Sequence, residues 1–279
     1  MRFHTGENRR LLRFSAALFL LIAVPFPTTA ASDTKPVAEV LGKPVYREEL
    51  TPPDAAEQNK KLDHAAYTAW LASAREKRLQ SIVWSSVFSD YAAKRKIEPT
   101  QQEIDSQISN QQKFMKEDRV RREKDRQELI KELASPGITE ARRQQAQKYL
   151  DTLNSLHGHD ERMVKEQSSP EGAKIWQEAQ LKVAAVWVKQ WKVNQTLYRE
   201  FGGRIIFQQA GWEPIDAYRK LLEQYETRKA FVVNDPALHE AVYSYFKLKF
   251  TYADEKMAKF YFEKPYWERT QAEMKAVGF

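Results

Sequence analysis

The alternation of hydrophobic and polar positions predicts that most of this chain forms long amphipathic helices. Between residues 63 and 96 the apolar side chains recur at steps of three and four residues, which places them on one face of a helix. These residues are Leu79, Ile82, Val83, Phe88 and Tyr91. Residues 170–201 show the same spacing and carry Trp176, Trp187 and Trp191 on one stripe. Pro170 suits a first helical turn, and the pair Gly202–Gly203 suits a helix end.

The segment between these helices has few apolar residues and many charges of both signs. Thr100 and Glu103 have the spacing of a capping box, which predicts a helix start. The sequence SPG at 135–137 ends that helix, a second polar helix follows over 138–156, and HGHD at 157–160 then interrupts the chain. Helices with so little to bury favour a solvated pair. We therefore predict an antiparallel helical arm over residues 101–169.

Two short stretches predict strands. The first begins near Val37 and turns at a Gly-Lys-Pro corner, and the second covers residues 246–252. In the second, Phe246, Leu248, Phe250 and Tyr252 alternate with polar residues, although a helix continuing from Pro236 is the alternative. A lone strand cannot satisfy its backbone groups. We expect the two stretches to pair and so to join both ends of the mature chain.

The N-terminal residues have the features of a secretory signal peptide. Three arginines precede a short apolar run, and small residues follow at 28–31. The apolar run is too short for a comfortable bilayer span, and no later segment approaches about twenty uninterrupted apolar residues. We predict a signal peptide at residues 1–31 and a periplasmic protein, with secretion into the medium as the alternative.

The amino-acid composition excludes several kinds of chemistry and several classes of partner. The chain has 279 residues, a formal net charge of +7 and no cysteine, which excludes disulfides, thiolate catalysis and a lipidated cysteine. Residues 1–31 hold four arginines and one glutamate, so their removal lowers the charge by three to +4. This mild charge does not indicate nucleic-acid binding, and we expect neither nucleic-acid partners nor stable membrane insertion.

Together these patterns predict a mostly α protein. The expected organisation is a signal peptide at 1–31, a helical body from 32–100 and 170–279, and a charged helical arm at 101–169. One or two short strands join the N-terminal and C-terminal segments of the body.

The opening of the mature chain resembles the N-terminal chaperone module of the SurA, PrsA and PpiD group of envelope foldases. That group has a strand of the type V-A-x-V-N-G, followed by helices with tyrosine, a threonine cap and an acidic pair. The matching residues here are Val37, Ala38, Val40, Gly42, Val45, Glu49 and Leu50, then Tyr91, Ala92, Ile97, Thr100, Glu103, Ile104 and Asp105. The similarity covers roughly residues 35–110 and implies a chaperone-like helical fold that binds polypeptides.

The chain departs from this group where the catalytic domain would lie. Members with prolyl isomerase activity carry a parvulin domain, whose histidine-bearing strands flank a Gly-Gly-x-Leu-Gly turn. The Gly202–Phe207 segment is only superficially similar to that turn, because no histidine strand accompanies it. We therefore expect no isomerase activity and no other enzymatic activity.

Few residues suggest other chemistry. His157, His159 and Asp160 are possible metal ligands, but they lack a third partner at helical spacing, so a polar loop is the simpler interpretation. His239 and Glu240 lack the second histidine of a zinc-protease helix. No phosphate-binding loop or nucleophile elbow is present. We predict no catalytic residues, no metal site and no cofactor.

The aromatic residues are the main candidates for a binding surface. The tryptophan stripe favours either a seam between helices or a concave surface for unfolded segments. The residues predicted to contact a client are Trp187, Trp191, Tyr198, Phe207, Trp212, Tyr245, Phe250 and Trp267. The leading hypothesis is an ATP-independent periplasmic chaperone for extended polypeptides such as outer-membrane proteins. The alternatives are a scaffold that binds one folded envelope partner, and a hydrolase or isomerase of an unrecognised type.

Overall fold

A computed structural model describes residues 35–208 and 211–276 of the chain. The predicted signal peptide at 1–31 lies outside the described residues. The helices are α1 Ala55–Lys61, α2 His64–Lys94, α3 Gln101–Leu133, α4 Glu140–Gln167, α5 Pro170–Phe201, α6 Ile215–Thr227, α7 Pro236–Tyr243, α8 Glu255–Glu263 and α9 Gln271–Lys275. The strands are β1 Ala38–Val40, β2 Lys43–Val45, β3 Ile206–Gln208, β4 Gly211–Glu213 and β5 Phe231–Val233. Short 3-10 turns occupy Glu48–Leu50, Ser244–Lys247 and Tyr266–Glu268. The predicted mostly α class is confirmed.

The chain folds into two compact units. The first unit contains the residues up to Tyr91 together with Leu197–Ala258, and the second contains Ala92–Thr196 together with Lys259–Phe279. Because α2, α5 and α8 each cross a boundary, the backbone passes between the units inside helices.

The first unit contains a small antiparallel sheet in the order β2-β1-β5. Leu41 and Gly42 both have positive φ and form the tight turn between β1 and β2. On the other side of β1, Val40 lies opposite Phe231 and Ala38 lies opposite Val233. The opening strand therefore does pair with a distant part of the chain.

The predicted partner of that strand was wrong. Residues 244–247 form a 3-10 turn, and within 246–252 only Tyr252 makes a β-bridge, to Ile206. The true partner is β5, whose Phe231 is 1% exposed. The alternating pattern of residues 246–252 therefore did not identify the partner strand. Of the three apolar residues of β5, only Phe231 is fully buried, and its burial fixes the register of the pairing.

Helix α2 is the central element of the first unit. Of its predicted apolar stripe, Leu79, Ile82, Val83 and Tyr91 are buried and Phe88 is half-buried. Val87, which was not in the predicted stripe, is also fully buried. The indole Nε1 of Trp84 donates to the carbonyl of Val242 at 3.0 Å, which ties α2 to α7. The helix begins one residue after and ends two residues before its predicted bounds, and most of its predicted face is buried.

The second unit contains the predicted antiparallel helical pair, α3 and α4. Thr100 and Glu103 form the capping box that begins α3. Between the helices a small apolar core of Leu129, Ala146, Leu150 and Leu153 is buried, with Leu133 packed against it. Near the connecting turn, Glu132 accepts two hydrogen bonds from the guanidinium of Arg142, which holds the pKa of that carboxyl below its usual value.

The predicted break at HGHD was wrong, because α4 continues through residues 157–160. A glycine inside a helix costs only about 1 kcal/mol relative to alanine. Contacts made by the neighbouring residues offset this cost. The Asp160 carboxylate accepts a hydrogen bond from Arg122 on α3 at 2.9 Å, and the His157 Nε2 atom lies 3.4 Å from the Glu161 carboxylate one turn later. The possible metal ligands His157, His159 and Asp160 therefore lie on a helix rather than in a polar loop.

The second unit also contains a seam of aromatic residues around the C-terminal half of α5. Val188 and Trp191 pack against Trp267, with the Trp191 and Trp267 ring centroids 5.4 Å apart and nearly perpendicular. Tyr261 and Tyr266 complete the cluster, and the Trp191 indole Nε1 donates to the Tyr261 carbonyl.

Candidate functional site

The β3–β4 hairpin of the first unit presents aromatic side chains on one of its faces. Phe207 and Trp212 are cross-strand partners, and their ring centroids are 5.0 Å apart. The exposed fraction is 59% for Phe207 but only 9% for Trp212. Phe207 is therefore an exposed aromatic ring supported from beneath by a buried one.

The backbone around the hairpin is held by a neighbouring segment. Tyr252 forms a β-bridge with Ile206, and the Ala253 amide donates to the Ile205 carbonyl at 3.0 Å. Ile205 and Ile206 are both almost fully buried. This pairing fixes the position of β3, because the chain that crosses its edge satisfies backbone groups that would otherwise face solvent.

Arg204, just before β3, is held in place by an ion pair. Arg204 makes a two-pronged ion pair with Asp216 at the start of α6, and its guanidinium carbon lies 4.4 Å from the ring centroid of Tyr252. The hydrogen bonds from Arg204 hold the pKa of Asp216 below its usual value. Because a paired guanidinium is orientated, the half-exposed Tyr252 ring gains a fixed cationic partner.

The other face of the hairpin carries a half-buried acid. Glu213 on β4 accepts a hydrogen bond from the hydroxyl of Tyr245 at 2.8 Å. Burial raises the pKa of Glu213, and burial together with this acidic neighbour raises the pKa of Tyr245. Both groups favour their neutral forms, so the link between the hairpin and the 244–247 turn is a neutral-group hydrogen bond at low pH.

Tyr245 belongs to an aromatic cluster that continues to α2. Its ring lies 5.2 Å from Phe250 and 5.6 Å from Trp84 by centroid distance. Trp84 in turn stacks on Phe88 and Phe246. Edge-to-face contacts of this kind stabilise aromatic pairs by about 0.5–1.5 kcal/mol beyond area burial. The hairpin is therefore supported by a packed aromatic layer.

We use the name hairpin site for the aromatic residues on and around this hairpin. Phe207 and Trp212 lie on one face, whereas Tyr245, Phe250 and Tyr252 belong to the segment that contacts its opposite face and its edge. Exposed apolar surface at this site comes from Phe207 and Tyr252, and Leu248 close by in sequence is 55% exposed. Exposed aromatic rings on a rigid backing are typical of surfaces that contact other chains, because they offer large area with little loss of side-chain freedom.

The structure places the eight predicted contact residues in several different parts of the molecule. Four of them, Phe207, Trp212, Tyr245 and Phe250, lie at the hairpin site. Trp191 and Trp267 are buried against each other in the second unit. Trp187 is half-buried on α5, and Tyr198 is half-buried further along the same helix.

Two features of the site were missed by the sequence reasoning. Glu213 was not singled out, because its role depends on the hydrogen bond from Tyr245, 32 residues later, which no local pattern indicates. Tyr252 was treated as part of a strand face, whereas it is 41% exposed at the edge of β3.

The possible metal ligands His157, His159 and Asp160 all lie on α4. Within residues 35–208 and 211–276, no three histidine, aspartate or glutamate side chains come together as a metal site. The Asp160 carboxylate is paired with arginine, and His157 faces Glu161. Over the same ranges, no helix is both long and apolar enough to cross a bilayer.

Comparison with known proteins identifies the family. Residues 8–150, just over half of the chain, match the family described as SurA-like N-terminal domain. The chain therefore belongs to the SurA-like N-terminal domain family, as the resemblance in the sequence indicated, and no parvulin domain was found. No match was found among curated proteins or among solved structures. The matched span includes β1, β2 and α1–α3, whereas the hairpin site lies outside it.

Proposed function

We propose that this protein is an ATP-independent chaperone of the bacterial periplasm that holds extended polypeptides at the hairpin site. The family supports a chaperone-type module. The observation that carries the proposal is the exposed Phe207 ring lying on the buried Trp212. Because an exposed phenylalanine on a fixed support is costly to leave in water, its contact with apolar client residues stabilises a complex.

The proposed interaction involves no covalent chemistry. Full burial of a phenylalanine side chain contributes about 1.5–3 kcal/mol. Phe207 still has more than half of its surface to bury, so we assign it about 1.5 kcal/mol, or roughly tenfold in affinity. Several such weak contacts suit a protein that must release its client without ATP.

The test compares matched surface variants in an aggregation assay. Phe207→Ser should lose most of the suppression of aggregation that the unaltered protein shows with several unrelated unfolded proteins. Ile175→Ser is the control, because Ile175 is 61% exposed and lies in the other unit. Equal suppression by both variants and the unaltered protein would remove the hairpin site from the proposal.

Two further measurements separate the alternative functions. A scaffold for one folded partner predicts co-purification of that partner and no general suppression of aggregation. An isomerase predicts catalysed cis–trans exchange in a proline peptide, which we expect to be absent. Loss of a measured activity on replacing His157, His159 and Asp160 by alanine would instead favour an unrecognised enzyme.

A further inference from the structure

A groove lies between α3 and α4 in the second unit, away from the turn that joins them. It has a volume of about 650 Å³, and its apolar lining comes from Val120 on α3 with Leu153 and Val164 on α4. Leu153 is buried, but Val120 is 67% exposed and Val164 is 54% exposed. We call this feature the arm groove; its floor is apolar and its rim is open to solvent.

The charges around the arm groove do not balance. Four side chains with permanent positive charge and three carboxylates line it, together with His157: these are Arg119, Arg122, Arg126 and Lys165 against Glu123, Asp160 and Glu161. Arg126 is paired with Glu123 at 3.0 Å. Arg122 is also paired with Asp118 at 2.7 Å, and Asp118 is shared with Arg121. With these two residues included, five cations share four carboxylates.

One carboxylate oxygen serves two arginines at the groove. The Asp160 Oδ2 atom lies 2.9 Å from Arg122 and 3.5 Å from the Nε atom of Arg119. That Nε atom is enclosed and has no hydrogen-bond acceptor. Among the described residues the Lys165 ammonium has no ion pair at all. The groove therefore has an excess of positive charge beside exposed apolar surface.

We propose that the arm groove binds polypeptide segments in which apolar and acidic residues alternate. Apolar side chains of such a segment cover Val120 and Val164, while its carboxylates pair with Lys165 and with Arg119, whose side chain is 39% exposed. This adds a second binding surface to the proposed chaperone function and is separate from the hairpin site, because all its lining residues lie in the second unit.

The geometry favours a peptide over other anionic apolar partners. A small-molecule pocket usually encloses most of its ligand, whereas the rim valines here leave one side of any occupant in solvent. A helix that lies in a membrane surface buries one apolar face in the lipid, whereas the apolar side chains here line a concavity between two helices. An extended peptide tolerates a solvated side and supplies carboxylates at regular intervals.

The experiment is a fluorescence anisotropy titration of the full chain with two short labelled peptides. In one peptide leucine alternates with glutamate, and in the other leucine alternates with lysine. We expect the acidic peptide to bind at least about tenfold more tightly and to weaken as salt is added. Equal affinity for both peptides, or no binding of the acidic one, would overturn the proposal.

Matched variants locate the binding. Lys165→Glu and Val164→Ser should each weaken the acidic peptide by about tenfold. Lys148→Glu and Val183→Ser make the same changes at exposed positions outside the groove and should leave binding unaltered. If these controls weaken binding as much as the groove variants do, the site is elsewhere. Circular dichroism of each variant checks that it is folded.

The remaining outcomes separate this inference from the proposed function. Phe207→Ser should leave the acidic peptide's affinity unchanged, so failure at the hairpin site does not affect the groove result. Binding of the full chain to phosphatidylglycerol vesicles or to dodecanoate, with no binding of the acidic peptide, would replace the peptide with a lipid-like ligand and contradict the proposal.

Discussion

Replacement of Trp267 tests whether the aromatic seam of the second unit is a core or a client surface. Trp267 is 5% exposed, and its ring contacts Trp191 and Tyr266 at centroid distances of 5.4 and 5.0 Å. Truncating a buried tryptophan to alanine costs about 3–5 kcal/mol. We therefore expect Trp267→Ala to lower the free energy of unfolding by about 4 kcal/mol.

A second substitution at the same position refines the test. The indole Nε1 of Trp267 is buried and has no hydrogen-bond partner among the described residues, a penalty of about 1–3 kcal/mol. Trp267→Phe removes this donor along with part of the buried area, so the two effects oppose each other. We expect Trp267→Phe to lose less than half as much stability as Trp267→Ala.

The assay is urea unfolding followed by tryptophan fluorescence and far-ultraviolet circular dichroism. With a slope of about 2 kcal/mol per molar urea, a loss of about 4 kcal/mol lowers the midpoint by about 2 M. Phe207→Ala is the comparison and should change the stability by under about 1 kcal/mol, because Phe207 is mostly exposed. If Trp267→Ala changed the stability as little as Phe207→Ala while abolishing client binding, the assignment of this seam as core would be refuted.

Three other predictions follow from local contacts. Thr100→Ala removes the capping box of α3 and should cost about 1 kcal/mol of stability in urea unfolding. Gly203→Ala should cost more than about 1 kcal/mol in the same measurement, because Gly203 has φ +96° and an added Cβ would lie 2.5 Å from Asp216 Cβ. Burial and the hydrogen bond to Asp90 raise the pKa of Tyr225 to about 12, so its stabilising effect is complete below pH about 10 and is lost as the pH rises through 12. Tyr225→Phe should flatten that part of the stability profile.

Each of these predictions has a matched control. Thr152→Ala alters an exposed mid-helix threonine, and Gly137→Ala adds a Cβ where nothing lies within 4 Å. Tyr149→Phe removes the hydroxyl of a tyrosine that is 39% exposed. A control that lost as much stability as its partner, or a Tyr225→Phe profile as steep as that of the unaltered protein, would contradict the stated contact.

Local signals in the sequence predicted the helical part of the fold well. The apolar stripe of α2, the capping box at Thr100 and the ends of α5 at Pro170 and Gly202 were all read from residues within a few positions of each other. Capping and amphipathicity depend on short-range geometry, so the sequence specifies them directly.

The long-range features were not predictable in the same way. The pairing of β1 with β5 depends on the burial of Phe231, which no local pattern reveals. Gly158 was expected to end a helix, but contacts made by its neighbours with α3 keep the helix intact. At the hairpin site, the sequence singled out the aromatic residues, whereas the role of Glu213 depends on a hydrogen bond that it accepts from Tyr245, 32 residues later.

Photo-crosslinking at the hairpin site tests the proposed function most directly. Phe207 is replaced by a benzoylphenylalanine, and the protein is irradiated with a permanently unfolded, carboxymethylated polypeptide. The same substitution at Ile175, which is equally exposed, provides the comparison. The proposal predicts strong crosslinking from position 207, competed away by excess unlabelled polypeptide, and little from position 175. Equal crosslinking at the two positions, or none at position 207, would contradict it.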